Sequence, residues 1–132
     1  YKTIIMESGN RLGLHSRYQS IRFAVNGIKT LFREEKNAVI QLLIFAMVII
    51  AGFFSRLSDT EWILITTVSM FVFACECFNT ALEDLSDFVT GEKNEKIRKI
   101  KDLAAGGVLI SALGAAITGM IIFFPRFLDL FN

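Results

Sequence analysis

The 132-residue chain contains one proline, one histidine and two cysteines, and its 14 Lys/Arg against 13 Asp/Glu leave a net charge of only +1. A charge this small supplies no basic field for holding nucleic acid, so no nucleic-acid partner is expected. Cys75 and Cys77 stand two apart in an apolar run, which is not metal spacing and sends them to different faces of a helix, so they read as small interior residues. His15 has no acidic or cysteine partner in sequence and is not a catalytic candidate. No Ser/Gly-rich linker, repeat or low-complexity tract divides the chain, which reads as one domain over residues 1–132 with a loose stretch at 1–15. Neither a Gly-x-x-x-x-Gly-Lys loop nor a kinase-type glycine loop occurs. Residues 2–6 do not resemble a cleavable signal peptide, because no long apolar region precedes a small-residue cleavage site.

Apolar residues, by contrast, make up 53% of the chain, more than a soluble domain of this size can cover. They concentrate in three runs: Ala38 to Phe54, apolar except for Gln41; Trp62 to about Ala81, within a helix expected over 62–86; and 103–124, which carries no charge. Each approaches the ~20 helical residues that cross a bilayer, and none alternates as a barrel strand must. The fold class is therefore all-α integral membrane protein with three transmembrane helices. Seven Lys/Arg precede the first run (Lys2, Arg11, Arg17, Arg22, Lys29, Arg33, Lys36) and five lie between the second and third (Lys93, Lys96, Arg98, Lys99, Lys101), while Arg56 and Arg126 stand alone in the other segments. The positive-inside rule then puts the N-terminus and second loop in the cytoplasm. Ile21, Ala24, Val25, Ile28, Leu31 and Phe32 recur at helical spacing opposite Arg22, Asn26, Lys29 and Arg33, which predicts an amphipathic surface helix over 16–37. Gly107, Ser111, Ala115 and Gly119 form a small-residue stripe that predicts helix packing within or between subunits.

The second run ends in carboxylates. At about 100° per residue Glu76, Asn79, Glu83 and Asp87 share one face over roughly 16 Å of axis. The stripe starts within the membrane and ends at the cytoplasmic interface, in the same layer as Glu35 and the Lys101-Asp102 pair. An intramembrane carboxylate is energetically unfavourable and usually faces a protein interior or a water-filled site, which makes Glu76 a functional candidate. Acidic oxygens, an amide and a lysine at the water boundary suit a divalent metal together with a polyphosphate.

The pattern Glu76-x-x-Asn79-Thr80-Ala81-x-Glu83-x-x-x-Asp87, followed by Lys101-Asp102-x-Ala104-Ala105, resembles the bacterial integral-membrane diacylglycerol kinase family, and more closely its Gram-positive branch, which includes undecaprenol kinases. The resemblance runs from about Phe23 through Pro125 and includes Arg33-Glu34-Glu35-Lys36-Asn37. It implies a multi-pass protein of the bacterial plasma membrane, a homotrimer with composite sites on the cytoplasmic side, and ATP-dependent phosphorylation of a membrane lipid alcohol. Undecaprenol is the first expectation for that lipid and diacylglycerol the alternative. The same resemblance gives Glu76 the role of base and contact for the lipid hydroxyl. It gives Glu35 and Glu83 Mg²⁺ that bridges ATP phosphates, with Asn79 in the same site. Lys101 would meet phosphate, Asp102 would place nucleotide, and Glu92 would contact it. Asp87 fits the pattern without an assigned step. Lys36 and Asn94 depart from it, since relatives carry arginine at the first position and some carry histidine near the second.

Two other classes compete with this reading. A small proton-coupled transporter would use Glu76 to carry a proton or cation, and a noncatalytic assembly subunit would use only the small-residue stripe. The lysine-aspartate pair beside the acids favours nucleotide chemistry over both.

Overall fold

The computed structural model describes residues 14–89 and 94–129, with side chains from Ser16 onward. The expected loose stretch at 1–15, the side chain of His15, and Glu92 lie outside the described residues. Four helices follow one another: α1 (Leu14–Glu34), α2 (Lys36–Phe54), α3 (Asp59–Val89) and α4 (Glu95–Asp129). The last three are long and apolar enough to cross a membrane. Their apolar runs fall where hydropathy puts them, but the helices extend further, because polar flanking residues continue a helix as readily as apolar ones do. Thus α3 adds turns at both ends and α4 carries Pro125 within it.

Start signals explain several boundaries. Ser58 caps α3: its backbone N–H and hydroxyl both donate to the Glu61 carboxylate at 2.8 Å, and the Ser58 hydroxyl accepts from the Glu61 N–H at 3.5 Å. This is a capping box, in which two helix-end donors are satisfied reciprocally. Asn94 caps α4, its Oδ1 accepting from the N–H groups of Lys96 and Ile97 at 2.9 and 3.4 Å. Between α1 and α2 the helix is interrupted at a single residue, Glu35, which has extended backbone angles (φ −103°, ψ 109°). The surface helix expected over 16–37 therefore ends three residues early, at Glu34, and Lys36 already belongs to α2.

The α3 and α4 helices pack along each other most extensively, α2 packs on both α1 and α3, and the last turn of α1 reaches α3. In that turn Leu31 is buried and the Phe32 ring meets Phe73 edge-on, with centroids 5.8 Å apart. Phe45 of α2 meets the same ring at 6.2 Å. Elsewhere on α1 the apolar positions Ile21, Val25 and Ile28 are exposed.

The buried apolar cluster sits at the end of the bundle remote from the basic segments. It comprises Leu57, Ile65 and Ile122, flanked by Val48, Trp62 and Phe123. Here Gly52 allows close approach, since a Cβ at that position would stand 2.6 Å from the Trp62 ring. Arg126 ties the same end together: its guanidinium donates to Glu61 Oε2 at 2.9 Å, to the Ser55 carbonyl at 3.2 Å and to the Ile122 carbonyl at 2.6 Å. Within the small-residue stripe Ser111 is buried, but a Cβ added at Gly107 or Gly119 would meet nothing within 4 Å, so the chain's own packing does not use those two glycines for close approach.

Candidate active site

Polar side chains are buried mainly on α3, at the basic end: Glu76 is 2% exposed, and Asn79, Thr80 and Ser86 are also buried. The helix buries this face because α4 packs along α3 and the α1–α2 junction closes over it near Phe73. Phe32 lies three residues before Glu35, and Phe73 three residues before Glu76. Their edge-on contact therefore holds the α1–α2 break against the buried acid, and the Glu35 and Glu83 carboxylates are close enough to act electrostatically on Glu76.

Down this face Glu76, Glu83 and Asp87 each neighbour a different nitrogen-bearing side chain. Gln41, on α2, faces Glu76 across the helix pair, one turn from the contact between Phe45 and Phe73. Asn79 donates from Nδ2 to Glu83 Oε1 at 3.0 Å, along the same helix. Lys101, at the start of α4, donates to Asp87 Oδ1 at 2.6 Å and lies within electrostatic reach of Glu83 and Asp84. Thr80, buried beside them, returns its hydroxyl to the Glu76 carbonyl at 3.0 Å and so leaves the acids free.

Among the described residues, two buried side-chain acceptors remain unused. Asn79 Oδ1 and Gln41 Oε1 are buried and have no hydrogen-bond partner. Because Asn79 must present its NH₂ to the Glu83 carboxylate, its amide orientation is fixed by chemistry, and the free oxygen follows from it. Glu35 caps α2 by backbone position only, with no side-chain capping bond. The site thus offers carboxylate and amide oxygens, the donor set that a hard divalent cation accepts. Among the described residues no group of three or more His, Cys, Asp or Glu side chains is placed to hold a metal ion, so such a cation must complete its shell with phosphate and water oxygens.

The structure accordingly places Glu76, Asn79 and Glu83 on one face of α3 with Glu35 within electrostatic reach of Glu76, and Lys101, held by Asp87, within reach of Glu83. Asp102 is exposed and joins none of these bonds. Asn94 serves as the α4 cap. Sequence reasoning passed over Gln41, although it is the one polar residue in the first apolar run and that was its signal.

An apolar groove of about 620 Å³ runs between α2 and α4 over the floor of α3, from Phe127 to Gln41. A second hollow of about 300 Å³, with Asn37 and Ala105 in its lining, begins at the same Gln41.

Fold and site together define an all-helical membrane protein that gathers oxygen donors and an amine at one end of its bundle, a class equipped to handle phosphate beside lipid. A profile of the prokaryotic diacylglycerol kinase family matches residues 22–123. An undecaprenol kinase of Bacillus subtilis is 32% identical over 117 residues, spanning 89% of this chain and 95% of the relative. A diacylglycerol kinase of Synechocystis is 33% identical over 112 residues, 84% of this chain and 64% of the relative. Another from Haemophilus influenzae is 26% identical over 113 residues, 85% of this chain and 96% of the relative. The chain belongs to the prokaryotic diacylglycerol kinase family, and with it to the lipid kinases. Against this, neither the transporter nor the noncatalytic subunit finds support.

Proposed function

We propose that the protein transfers the γ-phosphoryl group of ATP to undecaprenol, on the cytoplasmic side of the bacterial plasma membrane. The observation that carries the site assignment is the single α3 face on which Glu76, Asn79 and Glu83 lie beside Glu35 and Lys101, with Asn79 Oδ1 left unpaired. Undecaprenol is favoured because the relative matched over nearly its whole length at 32% identity carries that activity in its name. Diacylglycerol is the second reading, and the Synechocystis and Haemophilus relatives support it. The orientation rests on the basic residues flanking α1, α2 and α4.

Glu76, desolvated between helices, takes the proton of the lipid hydroxyl. Desolvation makes a carboxylate a stronger base, and proximity to the hydroxyl does the rest. The freed oxygen forms a bond to the γ-phosphorus while the bond from that phosphorus to the β–γ bridging oxygen breaks, and ADP leaves. Glu35 and Glu83, with Asn79 Oδ1, would hold Mg²⁺, which when bound would supply positive charge against the phosphate oxygens. Lys101 leaves Asp87 to meet the phosphate chain, and Asp87 receives it again when product departs. Asp102 and Glu92 are assigned to the nucleotide on resemblance alone, as is assembly into a homotrimer whose neighbouring subunits complete each site. The exposed apolar positions of α1 suit a helix lying on the membrane surface.

The test is phosphotransfer by purified protein to undecaprenol and to diacylglycerol in matched mixed micelles. Faster transfer to undecaprenol is expected, and a strong preference for diacylglycerol reverses the order of the two readings.

A further inference from the structure

Gln41 is the polar exception in α2, and in lipid an unneeded amide is a liability. Its surroundings are specific. Phe45, one turn after Gln41 on α2, meets Phe73, one turn before Glu76 on α3, so the amide faces the acid across the two helices; its Oε1 is buried without a partner, and it stands where the apolar groove and the smaller hollow meet. An ionised carboxylate only accepts, so the group that Gln41 offers Glu76 must be its NH₂. That leaves Oε1 idle while Glu76 is charged.

We propose that Gln41 is the positioning residue for Glu76, fixing the carboxylate while it is ionised and turning its Oε1 to accept from the acid once the lipid's proton has arrived. An amide is suited to this because it holds a donor and an acceptor on one rotor, so it can stabilise both states of the base. With one carboxylate oxygen held by the amide, the other is left to face the hydroxyl. The buried orphan acceptor, unusual in a native interior, is then the unused half of a two-state contact. The inference rests on the reading of Glu76 as the base.

Gln41→Met keeps the length of the side chain and removes both hydrogen-bonding groups. It is expected to lower kcat about 10- to 100-fold, the worth of a hydrogen bond to a charged group, with KM for ATP unchanged and thermal stability retained. In a Glu76→Gln background the same change should cause no further loss, because the contact it removes has already lost its purpose. Wild-type kcat in Gln41→Met overturns the inference, as does an equal loss in both backgrounds. So does failure of Gln41→Met to accumulate as folded protein, which would make the amide a structural tie between α2 and α3. Near-normal turnover in Glu76→Gln alone refutes instead the assignment of the base, so the two failures are separable.

Discussion

At the end of the bundle remote from the basic segments, one guanidinium and one carboxylate are consumed by their own surroundings. Arg126 spends its donors on Glu61, Ser55 and Ile122, and Glu61 completes the capping box with Ser58. At the basic end the balance is reversed: carboxylates outnumber the nitrogen partners bonded to them, and two buried amide oxygens have none. The first arrangement closes a hairpin and asks for nothing more. In the second, an amide and one lysine pair with acids that have acceptor capacity left over, which under the proposed function would serve a cation and phosphate. Burial of polar groups alone therefore does not mark a site; incomplete satisfaction does.

Substitutions can break that contrast. The largest effect is expected for Glu76→Gln and Glu83→Gln, each lowering turnover by about 10²- to 10⁴-fold on the scale of lost acid–base catalysis or lost charge stabilisation. Glu83→Gln should fold normally, since a glutamine oxygen can still accept from Asn79. Steady-state kinetics alongside thermal unfolding checks both points. Next comes Gly52→Ala at the far end, which forces a methyl group against Trp62 and should destabilise the fold by about 1–3 kcal/mol. The molecules that remain folded should keep wild-type kcat, and a kinetic defect there would show the two ends to be coupled. The smallest effect belongs to Asp87→Asn, which removes an exposed ion pair with Lys101 at 2.6 Å. Stability should hardly change, whereas Lys101→Met should raise KM for ATP, because the proposed function gives the phosphate contact to the lysine.

Much of this contrast was legible in the sequence, though unevenly. Three apolar runs and the charge of their flanks gave the helices, and helical periodicity put Glu76, Asn79, Glu83 and Asp87 on one face before any coordinates. Ser58-x-x-Glu61 was a readable capping signal that went unused. Other features were not legible because they are made between elements. The interruption at Glu35 has no proline or glycine to announce it and depends on Phe32 meeting Phe73. The Lys101 to Asp87 pair joins two helices across 14 residues, and Gln41 faces Glu76 only because α2 packs on α3.

The most direct test of the central claim, that the acidic face of α3 forms the phosphotransfer site, is the initial rate at which label passes from the γ-phosphoryl group of ATP to undecaprenol, measured for the wild-type and Glu83→Gln proteins matched for folded concentration. The account predicts that transfer falls at least about 100-fold in the variant while its unfolding temperature stays the same. Equal rates in the two proteins would contradict it.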